Sequence, residues 1–280
     1  MRYFRWLVII LIADFLLTQP LSADQEIPFL VYYAKDAPIQ ELLPYHVLVF
    51  DSDAHPPLDP LLDRGKRVLG YLSLGEVSDN RAYFSWLKKS GLLIRENPNW
   101  PGSFLIDMRD DRWSRHVLER IIPRILQHGF QGIFLDTLDH AIHLEHEKPY
   151  QRIRQAAIDL VSAIRIHYPD LLIMMNRGYG ILPEVAAKID MHLAESLHTD
   201  YDFTKKKYRM RNTDEIDPIL ALLHATRKHH PRIQFFALDY WDPEERPAID
   251  RLYRTARANG FHPYVATIQL NQIIQRPEQR

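Results

Sequence analysis

"GIFLDTLDH", residues 132–140, is a glycine, three apolar side chains, an acid, two spacers, a second acid and a histidine. The apolar run reads as a strand buried on both faces. It ends in two carboxylates, Asp136 and Asp139. Charge at the edge of a buried strand is costly unless it is paired or used. Parallel β/α architectures gather such groups at the carboxyl ends of their strands, so the test is whether the chain repeats the pattern.

Seven further apolar runs do so: "FLVYYAK" (29–35), "HVLVFDSD" (46–53), "RVLGYLSLGEV" (67–77), "LLIMMNRG" (171–178), "MHLAESLH" (191–198), "QFFALDYW" (234–241) and "HPYVATI" (262–268). Most follow a glycine, proline, aspartate or histidine turn signal. Helical patterns lie between most of them. "RWSRHVLERIIPRILQHG" (112–129) places Val117, Leu118, Ile121, Ile122, Ile125 and Leu126 on one face, with a kink expected at Pro123. Segments 150–169, 216–231 and 247–260 carry similar faces, and the first two connections hold at most a few turns. The alternation predicts an α/β protein: one (β/α)8 barrel domain over residues 24–280, with an open doubly wound sheet as the runner-up. No G-x-G-x-x-G or P-loop follows a strand, which disfavours nucleotide-binding versions of that sheet.

The first 23 residues read differently. Arg2 and Arg5 precede an apolar stretch from Trp6 to Leu17, interrupted by Asp14, and Pro20, Ser22 and Ala23 follow. This is the layout of a secretory signal peptide cleaved after Ala23, with an uncleaved N-terminal anchor as the alternative. The expected location is secreted or periplasmic, with no stable membrane insertion once the signal is removed. The chain has no cysteine, which excludes disulfides, thiolate nucleophiles and cysteine-ligated zinc, and fits a bacterial envelope. A net charge of −1 gives no global attraction for nucleic acid.

In a barrel the strand ends converge on one rim. The groups brought there are Asp51 and Asp53 from run two, Ser73 and Glu76 from run three, Asp136 and Asp139 from run four, and Asn176 and Arg177 from run five. Run six adds Glu195, run seven Asp239, Tyr240, Trp241 and Asp242, and run eight Tyr264, Thr267 and Gln269. A carboxylate just past a strand is often a helix cap or turn residue, which suits Asp53, Asp139 and Asp242. Asp136 and Glu195 sit at the edge of or within their apolar runs, where a functional role explains the charge better. Two carboxylates on one rim suit glycoside hydrolysis. One protonates the leaving oxygen, and the other attacks the anomeric carbon or activates water. That chemistry requires no metal or cofactor, and none is expected. Trp241 beside Asp239 offers an apolar platform for a sugar face.

The motifs "YLSLGEV", "FLIDMRDDRW", "GIFLDTLDH" and the stretch from Asn176 to "LAESLHTDYD" resemble glycoside hydrolase family 114, which contains endo-α-1,4-polygalactosaminidases. They also resemble the related hydrolase domain that processes the cationic Pel biofilm polysaccharide. The likeness covers roughly residues 28–270. It implies a (β/α)8 barrel and endo-hydrolysis of α-1,4-linked galactosamine or N-acetylgalactosamine polymers. Carried over by position, it makes Asp136 the nucleophile or its equivalent and Glu195 the general acid/base. Asp139 and Asn176 would bind or orient the sugar, and Ser73 and Glu76 would line the cleft. Asp53, Asp239, Tyr240 and Trp241 complete the expected substrate-binding set. Two positions depart from the family pattern: Thr137 stands where Asn is frequent, and "AESLH" lacks the cysteine that often follows the glutamate.

Rival functions have their own signatures. A catalytically inactive carbohydrate-binding barrel keeps its aromatics and loses a carboxylate. A metal-dependent polysaccharide hydrolase or deacetylase would draw on His140, His143 and His146, whose spacing is not that of H-E-x-x-H. An esterase needs a G-x-S-x-G elbow, which is absent. The expected partner is a polysaccharide, with amino sugars whose ammonium groups would meet rim acids such as Asp51, Asp53 and Asp239, unless local Arg and Lys residues pair with them. The basic stretch "KKKYRMR" (205–211) is expected to be a solvated loop or helix face.

Overall fold

Each of the eight apolar runs contributes a strand. The computed structural model describes residues 26–279, so the signal-peptide reading of residues 1–23 lies outside the described residues. The strands are β1 (Phe29–Tyr32), β2 (Val47–Phe50), β3 (Arg67–Ser73), β4 (Gly132–Asp136), β5 (Leu172–Asn176), β6 (Met191–Glu195), β7 (Gln234–Tyr240) and β8 (His262–Ala266). They pair in chain order, and every neighbouring pair is parallel. β8 returns beside β1. Phe29 packs edge-on against Phe236 at 4.9 Å and Tyr264 at 5.8 Å, filling the interior at this seam. The Ile27 amide donates to His262 Nδ1 at 3.0 Å, and the Tyr33 amide to the Leu270 carbonyl at 2.7 Å, so the seam is stitched at both ends. The chain is a (β/α)8 barrel.

The strands are almost wholly buried because an outer layer of helices covers them, which is why they read as continuous apolar runs. Gly132, which opens β4, has no room for a side chain: a Cβ there would sit 2.4 Å from the Leu172 carbonyl oxygen and 2.5 Å from Leu69. Helices Ile153–His167, Thr213–His229 and Arg246–Ala258 follow the expected faces. The second starts three residues earlier than its apolar pattern, because Asn212 and Glu215 form a capping box. The 112–129 segment is broken as Pro123 requires. Two α-helical pieces, Asp111–His116 and Ile122–Gln127, flank a π-helical turn at Val117–Ile121 that absorbs the missing amide donor.

Two insertions at the carboxyl ends of strands depart from the sequence reading. The run at 67–77 is not one strand. It breaks at Leu74–Gly75, and Glu76–Ser78 joins Leu93–Glu96 and Ser103–Ile106 in a separate antiparallel sheet between β3 and β4. The basic stretch 205–211 is solvated as expected, with Lys205 and Lys206 in an exposed turn, but most of it is strand. Lys207–Met210 pairs antiparallel with Thr199–Asp202, between β6 and β7. The reason is a period-two pattern hidden by the charges: Tyr208 turns inward opposite Tyr201, while Lys207 and Arg209 face solvent.

The seam makes stability acid-sensitive. Burial lowers His262 to about 4, and it likewise lowers the fully buried His192 to about 4. Both accept protons in the unfolded chain at their ordinary value of 6.5 but resist them in the fold. The unfolded state therefore binds more protons between these values, and stability rises with pH across that window. In the Glu195→Gln background, which removes the opposing contribution of a carboxyl raised by burial, denaturant unfolding is expected to show full stability above pH 6.5 and a progressive decline towards pH 4, where a proton on His262 Nδ1 would displace the Ile27 amide. A flat profile would contradict this.

Candidate active site

β4, β5 and β6 are adjacent, and each ends in a polar residue: Asp136, Asn176 and Glu195. Asn176 is buried between the two acids. Its Nδ2 donates to Asp136 Oδ1 at 2.8 Å and to Glu195 Oε2 at 2.6 Å. Two bonds of those lengths to one nitrogen hold the two oxygens no more than about 5.4 Å apart. The remaining oxygens are also occupied. Tyr71, on β3, donates its hydroxyl to Asp136 Oδ2 at 2.8 Å, and Tyr240, at the end of β7, donates to Glu195 Oε1 at 2.5 Å. Both tyrosines are held well above their ordinary value, first by burial and then by the carboxylate each one serves, so they remain donors.

The two acids have unequal environments. Burial pushes the Glu195 carboxyl up, and the Asp136 charge adds to the effect, against the pull of Arg177, Tyr240 and Asn176. A carboxyl raised in this way favours keeping its proton. Separated environments for two neighbouring carboxyls are what acid/base work at a glycosidic bond demands.

The backbone just after these side chains is strained. Thr137, Arg177 and Ser196 follow Asp136, Asn176 and Glu195 directly, and all three are left-handed, at φ 66°, 46° and 51°. A non-glycine residue persists there only when its surroundings hold it. The Thr137 carbonyl accepts from the His140 amide, the Arg177 carbonyl from His192 Nε2, and the Ser196 carbonyl from Arg211 Nη1. Thr137 Oγ1 also accepts from the Gly75 amide at 2.8 Å and lies 2.8 Å from Ser73 Oγ. Gly75 sits so close that a Cβ would stand 2.4 Å from the Thr137 carbonyl oxygen. A turn here re-aims three side chains into one small volume.

Other expected site residues take up different stations. Ser73 donates to the Glu76 carbonyl and braces Thr137. Glu76 is buried in the insertion sheet and accepts from Asn97 Nδ2 at 2.9 Å, with His140 Nε2 at 2.6 Å. Asp139 accepts from the Gly178 amide and pairs with Arg177 at 2.7 Å. Asp51 and Asp53 are both held by Arg81, and Asp53 also by Arg124. Asp239 is buried and accepts from the His198 and Thr199 amides, His198 Nδ1 and Thr199 Oγ1. Trp241 donates to Glu245 and lies beside Tyr208. The rim acids expected to meet ammonium groups therefore have local cations or donors instead.

Tyr71 and Tyr33 escaped the sequence reading. Tyr33 lies just beyond β1. Its hydroxyl is raised first by burial, then by Asp136 and Glu195, and its ring stacks edge-on against Tyr71 at 5.2 Å. Their only sequence signal is a tyrosine at an inward register position near a strand end. A cavity of about 390 Å³ shares Tyr71 and Ser73 with this site and is bounded by Arg81, Tyr83 and Trp86. Among the described residues, no three His, Cys, Asp or Glu side chains gather as metal ligands would. His140 faces Glu76, and His143 and His146 are exposed.

The sequence pattern of glycoside-hydrolase family GH114 matches residues 22–280. Among solved structures, the glycoside hydrolase domain of PelA from Pseudomonas aeruginosa is similar, with a TM-score of 0.78 and 27% identity over 89% of this chain and 97% of that one. Ega3 of Aspergillus fumigatus, solved in complex with galactosamine, has a TM-score of 0.65 at 14% identity, over 89% of this chain and 94% of that one, and so shares the fold. An uncharacterized protein of Thermotoga maritima is 26% identical over 229 residues, covering 75% of this chain and 68% of its own length.

Proposed function

The chain belongs to glycoside-hydrolase family GH114, and on that premise we propose that it is an exported endo-acting hydrolase that cleaves an α-1,4-linked galactosamine or N-acetylgalactosamine polysaccharide with retention of configuration. The observation that carries the chemistry is the Asn176 bridge. Carboxyl groups about 5–5.5 Å apart suit a double displacement, whereas inversion needs about 6.5–9.5 Å to admit a water between acid and base. The limit of about 5.4 Å between the bridged oxygens favours the first.

In this reading Asp136 Oδ attacks the anomeric carbon while Glu195 gives its proton to the departing glycosidic oxygen. The C–O bond to the leaving chain breaks as the bond to Asp136 forms. Glu195, now a carboxylate, takes a proton from water, whose oxygen displaces Asp136 and restores both groups. Tyr71 and Tyr240 hold the acids, and Asn176 sets their separation. The amino-sugar assignment is supported by the resemblance to the galactosaminidase family and by the galactosamine in Ega3. Export is supported by the layout of residues 1–23.

The test is proton NMR of the first product released from α-1,4-galactosaminogalactan or Pel-type polymer, with reducing ends counted in parallel. The α-anomer is expected first. Early β-anomer would overturn retention, and no release from any amino-sugar polymer would overturn the substrate class.

A further inference from the structure

Five aromatic rings make consecutive contacts, tilted or edge-on to one another, from the end of β7 to the insertion after β3. Trp241 lies 6.1 Å from Tyr208, Tyr208 5.1 Å from Tyr201, Tyr201 5.1 Å from Phe203, and Phe203 5.3 Å from Trp100, between ring centroids. The line starts one residue after Tyr240, which holds Glu195. It ends at the tip of the insertion hairpin that follows β3. β3 and β6 are not neighbours. β4 and β5, which carry Asp136 and Asn176, stand between them. The Trp100–Phe203 contact therefore joins two insertions that leave the barrel on either side of the cleavage site.

Trp100 is 48% exposed and Phe203 39%, two of four large apolar side chains left exposed among the described residues. Exposed rings of this size in one place mark a contact surface. Their supports are rigid. The Trp100 amide bonds the Asn97 carbonyl, and Asn97 is tied to the buried Glu76, which His140 holds in turn. The other hairpin is pinned where it leaves β6 by the bonds from His198 and Thr199 to Asp239. At the hairpin end of the line the charge does not favour recognition of ammonium groups. Asp200 pairs with Arg209 and Asp202 with Lys205, and Lys206 and Lys207 complete a basic turn.

We propose that this line is the path along which the polysaccharide chain lies outside the cleavage point, with Trp100 and Phe203 as its exposed holding end. The proposal rests on the reading of the protein as a polysaccharide hydrolase. Pyranose rings present apolar C–H faces that pack on aromatic rings, and Trp100 and Phe203 leave ring surface exposed for such a contact. The grip is through faces and not charges, so it tolerates salt, whereas screening weakens exposed ion pairs.

The experiment is electrophoresis of Asp136→Asn through gels containing galactosaminogalactan or Pel-type polymer, with Trp100→Ala, Phe203→Ala, Trp100→Phe or Ile166→Ala added in that background. Ile166 is exposed on an outer helix and serves as a control. Retention is expected to weaken at least about five-fold for each alanine at the line, the effect of removing one apolar ring face from a contact. Trp100→Phe restores it, Ile166→Ala leaves it unchanged, and raised salt leaves it intact. On the active protein, Trp100→Ala is expected to raise KM for polymer with kcat unchanged. Wild-type retention in Trp100→Ala and Phe203→Ala, or release of Asp136→Asn by salt, overturns the proposal. If wild type releases reducing ends while Asp136→Asn is not retained, the line falls and hydrolysis stands. If wild type releases none but retention depends on the rings, the hydrolase reading falls and the line stands.

Discussion

Asp136→Asn is expected to leave a folded protein whose turnover of polymer is lower by at least about 10³-fold, since the displaced glycosyl group loses its acceptor. The substitution is nearly isosteric and keeps one oxygen for the Tyr71 hydroxyl, but it sets an amide nitrogen against Asn176 Nδ2, so circular dichroism should be unchanged and the thermal unfolding temperature should fall modestly. A sharper form of the test separates the nucleophile from the acid. Asp136→Ala opens a space that a small anion such as azide can enter and attack from the same face. Rate recovery with azide, giving a glycosyl azide of inverted configuration, is the expected outcome. Full activity in Asp136→Asn, or azide rescue of a Glu195 variant with inversion instead, would remove Asp136 from the proposed role.

Glu195→Gln has the second large effect. Loss of the proton donor is expected to lower turnover of polymer by about 10²–10⁴-fold. Substrates with leaving groups that depart without protonation should lose far less in the first step. The pH dependence follows from the raised Glu195 carboxyl. Wild-type activity should fall as pH rises through that raised value, because the acid form disappears, and Glu195→Gln should lack this alkaline limb. Stability moves in a linked way. The fold keeps the Glu195 proton where the unfolded chain has already released it, so the native state binds more protons in that window. Wild-type stability therefore declines as pH rises from the ordinary carboxylate value to the raised one. Glutamine carries no charge to desolvate. The variant should thus unfold at a higher temperature than wild type on the alkaline side and converge with it in acid. An equal Tm at both pH values would place Glu195 in a solvated environment and contradict its burial.

The basic stretch 205–211 shows where local reading fails. Its composition signals solvent, and five of its seven side chains obey that, yet Tyr208 packs inward on Tyr201 and contacts Trp241. One apolar residue in a charged run is invisible without its cross-strand partner. The run at 67–77 fails for the opposite reason. Its polar residues are too few to interrupt the apolar pattern, and Gly75 is no stronger a signal than Gly70 inside the strand, so the break at Leu74–Gly75 shows only when the Thr137 carbonyl, just past β4, is seen to leave no room for a side chain at 75.

The eight buried strands and the polar residues at their ends, including Asp136, Asn176 and Glu195, are legible in the chain before it folds. Burial on both faces leaves a continuous apolar signature along the chain, and a charge that interrupts it stands out against a large desolvation cost. Which groups meet is set by the closed barrel. Tyr71 reaches Asp136 across 65 residues, Tyr240 reaches Glu195 across 45, and Arg81 neutralises Asp51 and Asp53 from a separate insertion. The left-handed turns at Thr137, Arg177 and Ser196 belong to the same class. They cost free energy locally and persist because carbonyl partners from His140, His192 and Arg211 hold them. Apolar periodicity is written residue by residue, whereas these partners become neighbours only when the barrel closes.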